Sequence, residues 1–189
     1  MAEVVLYHHV QGLTEGVRSF ADELRRAGHT VHTPDLFEGR TFDTLDEGLG
    51  FAQESGFGAL VERGVAAAEE IDPEVVYAGI SFGVMAAQRL AQTRPGAKGV
   101  VLVSAAVPAT AFGAVWPAGV PLQIHMMEDD ALGEEDLPAA RELAETVDGA
   151  DLYLYPGDRH LFVDSSLADY DEGAAELLKE RVLAFLARV

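Results

Sequence analysis

Ser81 stands between two glycines in Gly79-Ile80-Ser81-Phe82-Gly83, where a hydroxyl lifted out of a tight turn can attack a carbonyl carbon. A neutral hydroxyl is a poor nucleophile, so it needs a base, and the base needs a group that orients it. Both types follow Ser81 along the chain. The first is an acidic run, Glu128-Asp129-Asp130, and the second is His160 within Tyr155-Pro156-Gly157-Asp158-Arg159-His160-Leu161-Phe162. His160 is the expected general base, with Leu161 and Phe162 available to screen its ring from water. Asp130 is the expected acid, with Asp129 and then Glu128 as alternatives. The order serine, acid, histidine, each after a strand-like run, carries more weight than the pentapeptide alone.

The remaining histidines are weaker candidates. His8 and His9 end the first apolar run, His29 and His32 belong to the second, and His125 lies inside a strand. His8-His9 lacks the helical spacing or neighbouring carboxylates of a metal site, so no metal and no cofactor is expected.

The elements that must position these residues alternate between strand and helix. Val4 to His8 reads as a buried strand, Val17, Phe20, Ala21 and Leu24 as a helix face ended by Gly28, and His29 to Pro34 as a second strand. A Gly- and Asp-rich stretch follows, then a helix over Leu60 to Ile71 that stops at Asp72-Pro73. Val75 to Ala78 leads into the Ser81 turn, and Phe82 to Thr93 is the helix behind it. Gly99 to Val103, Val120 to Met126 and Leu152 to Tyr155 continue the sheet. Leu137 to Val147 and the stripe Ala175, Leu178, Val182 and Phe185 supply two more helices. This pattern predicts one α/β domain over residues 1–189, three layers deep, on about six mainly parallel strands.

Bulk properties narrow the function. The chain has 189 residues, of which 49% are hydrophobic, and no apolar run approaches a membrane span. A formal charge of −19 opposes binding to nucleic acid and to anionic lipid. No cysteine is present, which excludes disulfides and thiolate chemistry. Met1-Ala2-Glu3 runs straight into the first strand without a basic region, so no secretory signal is expected, and the default compartment is the cytoplasm.

Four segments together resemble the dienelactone hydrolase family of α/β-hydrolases. They are Val4-Val5-Leu6-Tyr7 with Gly12, Pro34-Asp35-Leu36-Phe37-Glu38-Gly39, the Ser81 turn, and Tyr155 to Phe162. The resemblance implies a Cys/Ser–His–Asp triad, which falls here on Ser81, His160 and Asp130. It also implies an oxyanion hole from the backbone N–H groups of Phe82 and Val10. This chain departs from the family pattern in three ways: Ser81 replaces a cysteine, His9 replaces a glutamate before the oxyanion loop, and Met127 replaces a glycine near the acid. These departures point to a general ester or lactone hydrolase rather than to dienelactone cleavage, acting on a small molecule.

The short segment after Val103 leaves no room for a large lid. Phe112, Trp116 and Pro117 there are candidates to line the pocket. Arg40, Arg159 and His9 are further candidates for substrate contact, the two arginines through a substrate carboxylate. The alternative function is a catalytically silent member of the same fold that binds or regulates. A nucleotide-binding domain is disfavoured, because neither G-x-x-x-x-G-K-[ST] nor G-x-G-x-x-G follows the first strand. The sequence carries no signal of oligomeric state.

Overall fold

In a computed structural model that describes residues 1–113 and 115–189, six parallel strands run in the order β2-β1-β3-β4-β5-β6. They are β1 (Glu3–Tyr7), β2 (Thr30–His32), β3 (Val76–Ile80), β4 (Gly99–Val103), β5 (Leu122–Met127) and β6 (Ala150–Tyr155). Strands β1, β3, β4 and β5 are buried almost throughout, as parallel strands covered on both faces must be. Alternate side chains serve the two faces. Val5 and Tyr7 belong to one core cluster, Val4 and Leu6 to the other.

Helices α1 (Glu15–Arg26) and α6 (Glu172–Leu186) cover the face that holds Val4 and Leu6. The opposite face is covered by α2 (Leu45–Ser55), α3 (Phe57–Ala67), α4 (Val84–Thr93) and α5 (Leu137–Thr146). The expected three-layer α/β architecture with six parallel strands is the one observed.

Three local expectations need correction. The Gly- and Asp-rich stretch after residue 40 is not without elements, because α2 lies within it. Its start is held by a capping box, in which Thr44 and Glu47 satisfy each other's backbone N–H groups. Helix α3 begins at Phe57, three residues earlier than expected, and ends at Ala67. The second strand is also shorter than the run His29 to Pro34, since Pro34 has no N–H to give a ladder.

The strand order reverses between β1 and β3, so the loops after these two strands leave the sheet on either side of one crevice. In open α/β sheets this switch point at the carboxyl ends of the strands is where ligands bind. The loop after β1 carries His9 and Val10, and the turn after β3 carries Ser81.

Candidate active site

Ser81 adopts φ of 49°, a left-handed conformation that costs a non-glycine residue of order 1–3 kcal/mol unless its surroundings impose it. The two flanking glycines allow this. A Cβ on Gly83 would lie 2.4 Å from the Tyr7 carbonyl oxygen, and one on Gly79 would lie 2.5 Å from the Gly83 carbonyl carbon. The turn therefore closes directly from β3 into a 3-10 turn, Ser81–Gly83, packed against the end of β1. The hydroxyl is half-buried at the carboxyl edge of the sheet.

Ser81 Oγ lies 2.7 Å from His160 Nε2, and His160 Nδ1 lies 2.6 Å from Asp130 Oδ2. Asp130 as a carboxylate can only accept, so Nδ1 carries the proton and Nε2 accepts from the Ser81 hydroxyl. Burial alone would raise the Asp130 carboxyl. The hydrogen bond and charge of His160, with backbone N–H groups of Leu132 and Gly133, outweigh it and hold the carboxyl below its usual range. Asp130 is 5% exposed, whereas Glu128 and Asp129 are exposed to solvent. The sequence left the choice among these three open, and the pairing of two loops decides the geometry. Glu128 N–H donates to Tyr155 O and Asp129 N–H to Gly157 O, which aligns Asp130 with His160. Met127 does not displace the acid, because its side chain is buried at the end of β5. Ser104 adds support that was missed, its hydroxyl donating to the His160 carbonyl at 2.5 Å.

Ser81 and His160 open onto a cleft of about 280 Å³. Val10 and Phe82 line it together with Ser81. Its apolar wall comes from Leu45 and Leu49 of α2, Phe57 of α3, Val84 and Met85 of α4, and Ala105, Val107 and Leu132. Gly48 lets α2 approach the loop after β1, since a Cβ there would lie 2.2 Å from the Val10 carbonyl oxygen. The Pro34–Gly39 segment supports the same wall. Asp35 accepts from the N–H groups of Phe37 and Gly39, and Phe37 packs edge-on to His8 and Phe51 and against Phe82.

The four expected substrate-contact residues do not line this cleft. His9 is fully buried, its Nε2 2.7 Å from Asp164 Oδ2 and its Nδ1 accepting from Gln11 N–H, which corrects its assignment to substrate contact. Arg40 lies over the ring of Phe51. Arg159 donates to the Tyr170 carbonyl. Trp116 donates from Nε1 to the Val120 carbonyl, 2.8 Å away, and Pro117 borders a separate hollow.

His9 instead ties the loop after β1 to the loop that carries His160. Asp164, four residues beyond His160, also accepts from the hydroxyls of Thr14 and Ser166 and from Ser166 N–H. Asp164→Ala removes one acceptor and strands several buried donors. We expect a loss of about 3 kcal/mol in stability, measured by urea unfolding at neutral pH. Sequence reasoning missed Asp164. Its position directly after the apolar run Leu161-Phe162-Val163 was the available signal.

The chain of hydrogen bonds from Asp130 through His160 to Ser81 can take a proton from the serine as it attacks a carbonyl, then return it to a leaving oxygen. Among the described residues, no group of three or more His, Asp or Glu is placed to hold a metal ion, and no helix is long and apolar enough to cross a membrane.

Several solved structures share this fold. A dienelactone hydrolase-like promiscuous phosphotriesterase from metagenomic libraries superimposes with a TM-score of 0.75 at 18% identity, covering 100% of this chain and 86% of that one. A dienelactone hydrolase from Anabaena variabilis gives a TM-score of 0.69 at 18% identity, covering 100% and 86%. Alpha/beta hydrolase domain-containing protein 10 from mouse gives 0.70 at 12% identity, covering 98% and 90%. No curated protein matches the chain. A sequence profile for the dienelactone hydrolase family matches residues 1–189. The architecture is thus the α/β-hydrolase fold, and the chain belongs to the dienelactone hydrolase family of hydrolases.

Proposed function

We propose that this protein hydrolyses small carboxylic esters or lactones through an acyl-enzyme on Ser81. The observation that carries the reading is the hydrogen-bonded series Ser81–His160–Asp130, opening onto an apolar cleft from a turn with left-handed backbone at the serine. Ser81 Oγ attacks the carbonyl carbon while His160 Nε2 takes the hydroxyl proton. Asp130 holds the ring in its tautomer and stabilises the imidazolium that forms. The N–H groups of Phe82 and Val10 receive the oxyanion. The tetrahedral intermediate collapses, and the proton on Nε2 passes to the departing alkoxide. A water then enters, loses its proton to Nε2 and attacks the acyl carbon. Collapse breaks the bond to Ser81 Oγ, which recovers the proton and frees the acid.

A cleft of this size favours short acyl and alcohol groups, and no arginine lines it to receive the carboxylate of a dienelactone. A cysteine-free chain suits a reducing compartment, and we assign the protein to the cytoplasm as a one-domain enzyme.

The test is a panel of p-nitrophenyl esters graded by acyl length, assayed beside a dienelactone. Short neutral esters should be hydrolysed with kcat/KM highest at two to four acyl carbons, by about tenfold or more over long chains and over the dienelactone. A folded protein inactive on the whole panel would favour the silent, ligand-binding reading instead.

A further inference from the structure

The cleft wall contains one carboxylate, Asp136, and apart from His160 no other ionisable side chain. Asp136 occupies the N-cap position of α5, where an aspartate ordinarily accepts from the helix N–H groups, yet it makes no side-chain cap. It borders the cleft instead, in the same wall as His160, and the Ala106 N–H is bonded to it. Burial raises its carboxyl above the usual value, with Glu135 and Asp130 adding to the rise and His160 and Ala106 opposing it. Burial is the largest cause of that rise, so the carboxylate stands partly desolvated at the cleft wall. The candidate cations, Arg40 and Arg159, are engaged elsewhere, on the Phe51 ring and the Tyr170 carbonyl.

We infer that Asp136 is a specificity-determining residue which selects esters carrying a cationic ammonium group and disfavours those carrying a carboxylate. A cation seated among apolar side chains and facing one partly desolvated carboxylate gains more than it would in water. An anionic group in the same place meets like charge without a partner. The overall charge of −19 acts in the same direction, raising the local concentration of cationic substrates. The inference rests on the esterase reading and names the substrate class for that site.

Three p-nitrophenyl esters of matched shape provide the test: a neutral tert-butyl-tipped acyl group, its trimethylammonium isostere and a carboxylate counterpart. The assays use a pH well above the carboxylate range. Dividing each kcat/KM by that of the neutral ester, and comparing proteins, cancels differences in intrinsic reactivity. Asp136→Asn should lower the ammonium-to-neutral ratio by roughly tenfold and raise the carboxylate-to-neutral ratio, mainly through KM. Asp136→Glu should keep the wild-type order. Calorimetric binding of the same esters to Ser81→Ala, with and without Asp136→Asn, gives a readout independent of turnover. A binding ratio that shifts without any hydrolysis would overturn the esterase reading and sustain the role of Asp136. Hydrolysis with ratios unchanged by Asp136→Asn would overturn the inference alone. An equal loss on all three esters would make Asp136 a support for His160 rather than a selector, and would overturn it as well.

Discussion

Ser81→Ala should lower kcat for a short p-nitrophenyl ester by roughly 10⁴- to 10⁶-fold, leaving urea and thermal unfolding close to wild type. The substitution removes only Oγ. It keeps the Cβ that the left-handed backbone already tolerates, and it strands no buried donor, because His160 Nε2 can face the cleft. The expected loss is large because the hydroxyl oxygen is the atom proposed to form the covalent bond to substrate. What remains would come from the Phe82 and Val10 N–H groups and from binding. His160→Gln should cost a similar factor, and the double variant little more than either single one, since the residues act as a unit. Steady-state kinetics on the four proteins checks this. Full additivity would mean that Ser81 and His160 do not serve one step.

Lowering the pH from about 7 to about 5 should cost about 4 kcal/mol of unfolding free energy, through His8 and His125. Both are completely buried, and burial is the main cause that lowers His8 from 6.5 to about 4 and His125 from 6.5 to about 3. Their hydrogen bonds agree with neutral rings. His8 donates from Nδ1 to the His9 carbonyl and accepts from Leu36 N–H at Nε2. His125 meets the Tyr155 hydroxyl at Nδ1 and Gln123 Oε1 at Nε2.

A histidine depressed in the folded state takes its proton first in the unfolded chain. The stability it supports is therefore complete above about 6.5 and falls as the pH drops towards the folded value. Each contributes about 2 kcal/mol over this interval. Asp130 and Asp164, both held low in the fold, act in a more acidic window, where stability drains as pH falls below the ordinary carboxylate value. Urea midpoints measured at the two pH values give the result directly. A constant midpoint would mean that the buried rings are charged or hydrated.

The sheet was legible because its strands are apolar runs of the right length, such as Val75 to Ala78 and Gly99 to Val103, each closed by turn residues. The elbow was legible because only glycine fits at positions 79 and 83. Helix α2 was hidden by its two glycines and its acids, which mask the apolar period. Its helical state depends on the Thr44–Glu47 capping box and on Phe51 packing against Phe37 and Phe42. The capping box was visible in the sequence and would have revealed the helix.

His9 and Asp164 are 155 residues apart, so nothing local in either identifies its partner. The preference for Asp130 over Asp129 at His160 is a matter of register between two loops, settled by bonds to Tyr155 and Gly157. Asp136 was concealed within the acidic run Glu134-Glu135-Asp136. Only the tertiary packing turns one member of that run toward the cleft while its neighbours face solvent.

Labelling with a small fluorophosphonate, followed by intact mass and peptide mapping, tests the activation of Ser81 by His160 without knowledge of the natural ester. One adduct per chain is expected, on Ser81, absent from Ser81→Ala and formed far more slowly in His160→Gln. A folded wild-type protein that stays unlabelled, or that carries its adduct on another residue, would contradict it.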